Sequence, residues 1–257
     1  MKRSMLIILS LILALSLASC TFLDDLLSIN LFAESMELGS SDVQSLSISE
    51  LLVKSDSNAF YTNVKNDPAV KTALLDKTQA VIDDGDATPL QIQEAGILGA
   101  NVLIYTSPAG DLLANAAKLA DGVDEDAGMD EVLALILPKS IYSGGVVVDE
   151  IAFKTMITAF EDANKYYVAL GDSMEDGEYA TSGANAGDLA MGAFISAVID
   201  SVTLDEGYTE RGEYLLAALN GTLTAPPVFD APDLTMPEYS YLDAILAAAN
   251  LGSLLDL

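Results

Sequence analysis

The chain has no histidine, no tryptophan and a single cysteine, and it is poor in basic residues. Lys and Arg number 11 against 39 Asp and Glu over 257 residues, for a net charge of −28. Each shortage excludes something. Without histidine there is no Ser-His-Asp or Cys-His triad, no His-ligated metal and no imidazole acid–base group. One cysteine permits no intrachain disulfide, no C-x-x-C pair and no thiolate zinc site. So acidic a chain cannot release counterions from phosphates, which argues against a nucleic-acid partner, and it is repelled by an anionic membrane surface. β-Branched runs are scarce too. Val146-Val147-Val148 stands alone and is too short to found a sheet.

What is present begins with an address. Lys2 and Arg3 form a short basic head, and Met5 to Ala18 is an apolar run of 14 residues broken only by Ser10 and Ser16. As a helix that run spans ~21 Å, short of the ~30 Å hydrocarbon core, so it reads as the apolar region of a signal peptide over residues 1–19. It ends Leu17-Ala18-Ser19-Cys20, which resembles the lipobox of bacterial lipoproteins. The resemblance implies that Cys20 is acylated and becomes the first residue of the mature chain, where two or three acyl chains give a stable attachment. It also implies a lipid-anchored protein of the bacterial cell envelope that faces away from the cytoplasm. Thr21 is not the Asp that retains some lipoproteins in the inner membrane, so the outer membrane is favoured if there is one. The alternative is an ordinary secretory peptide cut near Ala18-Ser19, with Cys20 a spare thiol. Cleavage removes Lys2 and Arg3 and no acid, leaving −30 over 238 residues.

The mature chain, 20–257, reads as one all-α domain. No polar tether follows Cys20, because Phe22-Leu23-Asp24-Asp25-Leu26-Leu27 already has helical spacing. Ser47 with Glu50 is a capping box ahead of Leu51-Leu52-Val53. Asp67-Pro68, Thr88-Pro89 and Ser107-Pro108 each put an N-cap side chain before a proline at the first helical position. Val70, Leu74, Leu75, Val81 and Ile82 share one face of the first of these helices. Ile97 to Tyr105 is apolar all round, which predicts a central, buried helix. Leu112, Leu113, Ala116, Ala117, Leu119 and Ala120 follow in the third, stopped by Gly122.

The longest period opens at Val148 and runs through Ile151, Ala152, Thr155, Met156, Ala159, Phe160, Ala163, Tyr166, Tyr167 and Leu170, with Gly171 as the residue just past its end. An acidic, Gly- and Ser-rich loop is expected over 172–186, helices at about 187–203 and 210–220, and a Pro-rich linker over 224–237. A last helix is expected at about 239–250, with Leu242, Ile245, Leu246 and Ala249 inward. Helix starts at 68, 89 and 108 fit sequential helical hairpins, as an α-solenoid-like stack or an irregular bundle. Small residues (Gly96, Gly99, Ala100, Ala114, Ala116, Ala117 and Ala247-Ala248-Ala249) point to close helix packing in either case.

Candidate chemistry is thin. Asp124, Asp126, Gly128 and Asp130 look like a calcium loop, but the positions that need Gly and Glu hold Met129 and Leu135. The loop from Asp172 has Gly183 in place of the closing Glu. Solvated acidic loops are the plain reading, and no metal or cofactor is expected. With 39 acids a pair at glycosidase spacing arises by chance, and no Trp offers a sugar platform. Tyr105, Tyr166 and Tyr167 lie on apolar faces and read as core. G-x-S-x-G, S-x-x-K and G-x-x-x-x-G-K are absent, and Gly187 and Gly192 read as helix packing. No catalytic set is legible, so no enzyme is expected. Arg211 is the one arginine left after cleavage. In Glu210-Arg211-Gly212-Glu213 it reads as paired with its neighbours, or, if buried, as the partner of a carboxylate ligand.

Two functions follow as expectations. The first is a membrane-tethered, non-catalytic helical interaction or scaffold protein that contacts other envelope proteins. The second is a solute-binding accessory of a transporter. Ser107-Pro108, Leu112-Leu113 and Ala116-Ala117 are similar to a pattern in helical-repeat lipoproteins associated with TRAP-type transporters, a likeness of architecture that carries no functional residue. A bound small molecule would ask for a cavity lined by Tyr and Met, and a scaffold for a filled core with an exposed apolar patch.

Overall fold

Side-chain caps set several of the helix starts in the computed structural model, which describes residues 38–118, 129–174 and 186–249 apart from 226, 230, 231, 233 and 235. The signal segment, Cys20, Phe22 to Leu27, Gly122 and most of both acidic loops lie outside the described residues. The chain builds α1 (Ser40–Ser45), α2 (Ile48–Ser55), α3 (Asn58–Asn66), α4 (Pro68–Ile82), α5 (Pro89–Tyr105), α6 (Ala109–Lys118) and α7 (Met129–Ile136). After a hairpin of β1 (Tyr142–Ser143) and β2 (Val146–Val147) come α8 (Glu150–Asp172), α9 (Ala186–Asp200), β3 (Val202–Thr203), α10 (Arg211–Leu219), β4 (Val228–Phe229) and α11 (Ser240–Ala248). The fold is all-α, and its strands are two-residue ladders.

The expected caps form. Ser47 Oγ accepts from the Glu50 N–H while Glu50 reaches back to the Ser47 N–H at 2.8 Å. Asp67 Oδ1 accepts from the N–H groups of Ala69 and Val70, and Thr88 makes a capping box with Gln91. Ser107 Oγ accepts from the Ala109 N–H at 3.2 Å, so α6 begins one residue later than Pro108. Gly221 at φ 66° closes α10, its N–H donating to the Ala218 carbonyl and the Thr222 N–H to that of Ala217, a Schellman ending.

The helices close around a central pair. α5 is buried from Gln93 to Ala100 and from Val102 to Ile104, as its all-round apolar sequence predicts. On one side it packs against α2 and α4, and on the other against α8. α8 in turn carries α9, α10 and α11. Such a hub differs from an open stack, where each hairpin touches only its neighbours. The architecture is an irregular bundle with one contiguous core.

Glycine sets the closeness of these contacts. A Cβ on Gly99 would lie 2.3 Å from Cε1 of Tyr166, and one on Gly96 would lie 2.9 Å from the Tyr166 carbonyl oxygen. The Tyr166 ring therefore packs directly against the α5 backbone, and its hydroxyl donates to the Leu75 carbonyl of α4 at 3.3 Å. Tyr167 uses Gly192 of α9 in the same way, since a Cβ there would meet its hydroxyl at 2.2 Å.

Three details of the long helix differ from its period. α8 starts at Glu150 because Asp149 caps it, accepting from the Ala152 N–H at 2.9 Å, and Val148 stays outside. Val148 and Ile151 are 56 and 77 % exposed, whereas Phe153 and Ile157 are buried in their place. Gly171 is inside the helix, not past its end. It is glycine because the Tyr241 backbone of α11 crosses there, with a Cβ placed 2.3 Å from the Tyr241 carbonyl oxygen. In the Pro-rich stretch, Val228 and Phe229 pair with Thr203 and Val202. Among the described residues no single helix is long and apolar enough to cross a membrane. α5 and the first part of α6 pass that test only as a pair, bent by 96°.

An alanine at Gly99 should destabilise by about 2 kcal/mol or more, because overpacking against a fixed ring outweighs the ~1 kcal/mol that alanine gains inside a helix. Gly85, with nothing within 4 Å of its missing Cβ, should tolerate alanine within ~0.5 kcal/mol. Urea denaturation of the two variants decides this, and equal stabilities would refute the packing argument.

Candidate functional site

Three of the few cations, Arg211, Lys154 and Lys77, join elements. Arg211, at the start of α10, donates from Nη1 to Glu161 of α8 at 3.0 Å. From Nη2 it reaches the Asp200 carboxylate at 3.2 Å and the Asp200 carbonyl at 2.6 Å. Its partners are therefore remote in sequence, which corrects the pairing with Glu210 and Glu213. The side chain is about a quarter exposed and already holds two acids, so it is not a receptor for a carboxylate ligand. Glu213 pairs with Lys154 of α8 at 3.5 Å. Lys77 of α4 donates to the carbonyls of Val43, Gln44 and Leu46 where α1 ends, satisfying acceptors that a helix leaves open.

Tyr166 and Tyr167 are core residues, each 1 % exposed. Tyr105 is half-buried and belongs to a polar cluster that sequence reasoning missed. Its hydroxyl donates to Asp188 Oδ2, in the first turn of α9, at 3.2 Å. The Tyr61 ring lies 5.0 Å away, centroid to centroid. Burial pushes Asp188 up to about 6, with the Tyr105 hydrogen bond opposing the shift. Burial also pushes Tyr61 up to about 12, partly offset by hydrogen bonds with Ser55 and Asn101. Asp188 can thus hold or release one proton near neutrality. Nothing in Ala186-Gly187-Asp188-Leu189 distinguishes this acid from the other 38, and only the fold brings Tyr105 to it.

Of the acids in the two loops expected to be solvated, Glu131 is exposed on α7 and Asp172 is exposed at the end of α8. Among the described residues no three His, Cys, Asp or Glu converge as metal ligands. Two open grooves of about 650 and 440 Å³ lie among the described residues. The larger is bounded by α1 and α4, and Lys77 on its wall is already occupied. The smaller lies where α4, the end of α5 and α8 meet, lined by Lys71, Leu103, Ser107, Ile151, Lys154, Thr155, Thr158, Ala159 and Asp162. Neither is lined by tyrosine or methionine. Ile151 lines the smaller groove and is exposed, as are Val148 and Val146 just before it in the chain, each 56 % exposed.

Comparison of the chain with protein-family models, with curated proteins and with solved structures finds no match.

Two measurements test this geometry. An Asp188 whose folded pKa lies above the ordinary 3.8 binds its proton more tightly in the native state. Stability is therefore lost as pH rises from about 4 to 6 and is flat above. Asp188→Asn keeps an acceptor for Tyr105 and removes that loss. It should be about 1–2 kcal/mol more stable than the wild type at pH 7.5, with the gap closing towards pH 4. A gap independent of pH would refute the shift. Arg211→Met should cost about 1–2 kcal/mol, since two acids lose charge-assisted bonds. Lys154→Met, which breaks one long exposed pair, should cost under ~1 kcal/mol by the same denaturation measurement.

Proposed function

We propose that the protein is a lipid-anchored, non-catalytic interaction protein of the bacterial cell envelope, held through Cys20 and contacting other envelope proteins. If the cell has an outer membrane, that is the favoured location. The observation that carries the reading is the pairing of a contiguous core with exposed aliphatic side chains at Val146, Val148 and Ile151. Solute binding asks for a cavity lined by tyrosine and methionine. Among the described residues Tyr166, Tyr167 and Met156 are instead packed in the core, at most 1 % exposed. The acidic surface supports the same reading, because it keeps a tethered protein soluble and off an anionic bilayer.

Affinity capture of the lipidated protein from crosslinked native envelopes should recover a recurrent protein at near-equal amounts, lost in a Cys20→Ser variant. Capture no richer than in that control would sink the reading. The anchor has its own test. Metabolic labelling with an alkynyl fatty acid should mark the wild type and leave Cys20→Ser unlabelled, and an unlabelled wild type would leave the secretory alternative.

A further inference from the structure

The 440 Å³ groove is richer in basic residues than the chain as a whole. Lys71 from α4 and Lys154 from α8 line it beside one acid, Asp162, and Glu213 of α10 stands 3.5 Å from the Lys154 ammonium. The whole chain has more than three acids for every base, 39 against 11. The two lysines are also poorly satisfied. Lys154 has only the exposed 3.5 Å contact with Glu213. Lys71 is half-buried, and burial pulls its pKa down against the weaker pull of the Asp162 charge. Among the described residues it has no hydrogen bond or direct ion pair. Lys77 shows the contrast, with three carbonyl oxygens around it. An ammonium that has lost water and gained no acceptor is stabilised by an incoming anion.

The rest of the groove says what should carry that anion. Its apolar lining is Leu103, Ala159 and Ile151, and Val148 and Val146, close to Ile151 in sequence, are exposed aliphatic side chains. The hydroxyls of Ser107 and Thr155 are already donating, to the carbonyls of Ile104 and Ile151, and so do not compete for the anion. A small solute is normally enclosed over most of its surface, which an open groove cannot do. A polypeptide can lie along it, anchored by charge at one point and by aliphatic contact beside it.

We propose that the Lys71–Lys154 groove receives an acidic side chain carried on an aliphatic segment of a partner protein. The assignment rests on the interaction-protein reading above and names the chemistry of its contact.

The test is photo-crosslinking in the cells that make the protein, using the full chain with p-benzoylphenylalanine at Thr158, on the exposed rim of the groove, or at Val53, exposed on α2 outside it. The Thr158 adduct should map by mass spectrometry to a protein segment with Asp or Glu beside aliphatic residues. Its yield should drop about tenfold in Lys71→Glu and in Lys154→Glu, since a like charge facing the partner's acid reverses the attraction. Lys71→Gln should give an intermediate loss, and it keeps the test decisive if circular dichroism shows that Lys71→Glu does not fold. A Thr158 adduct with a basic segment or with lipid, or a yield indifferent to both lysines, overturns the groove assignment. So does no Thr158 adduct while Val53 still captures a protein, and in that case the interaction reading stands. No protein adduct at either position overturns both.

Discussion

The structure depends on how closely α8 lies on α5. The Tyr166 ring occupies the space that a side chain at Gly99 would need, and the Tyr166 backbone crosses Gly96. Two glycines one turn apart let the helices approach to backbone contact, at a cost in helix propensity of about 1 kcal/mol each. Once that approach is fixed, the positions of α9 and α11 follow. Tyr167, one residue along α8, rests on Gly192, and Gly171, a turn later, admits the Tyr241 backbone. A tyrosine against a glycine is a pair in shape that neither a larger nor a smaller residue at either site would reproduce.

Charge works as a second constraint because cations are scarce. In a chain with a net charge of −28, most carboxylates repel one another, and stability grows where a cation is placed between elements that would otherwise part. Arg211 ties α8, the end of α9 and α10, and Lys154 supports the same junction. Lys77 spends its charge on carbonyls at the end of α1 instead of on an acid. Each of these lysines and the arginine joins segments distant in sequence, so the basic residues act as clasps within an acidic shell.

Local physics was legible in the sequence, and contacts at a distance were not. Caps need only three or four consecutive residues, so Ser47, Asp67 and Thr88 could be read directly. The all-round apolar run of α5 told of its burial, and small residues at Gly96 and Gly99 told of close packing, though not of Tyr166 as the neighbour. Val148 and Ile151 fit the helical period and yet are exposed. Asp149 caps the helix after Val148, and among the described residues no later element buries Ile151 in that first turn. Gly171 was mistaken for a helix end because glycine has the same sequence signature whether it supplies a left-handed residue or makes room. The short helices α1 and α3 went unseen, since six and nine residues give too few turns for a period to emerge. The pairing of Asp188 with Tyr105 and of Arg211 with Glu161 spans 83 and 50 positions. Such pairs are properties of the bundle and not of any segment.

Where a core is closed by such tight contacts, change is confined to the surface. A cavity or a lid between α5 and α8 would require the tyrosine–glycine contacts to open together, because each helix is held on more than one side. Specificity for a partner then has to come from relief and charge on the outside. An acidic shell repels acidic surfaces everywhere except where cations are locally concentrated, as they are in the groove between α4 and α8. A partner segment bearing a carboxylate would be rejected over most of the molecule and accepted there, beside the exposed Ile151. If the proposed contact forms, the same scarcity of cations that makes Arg211 and Lys154 clasps would make an under-satisfied Lys71 selective, because an acidic partner would find so few other places to bind.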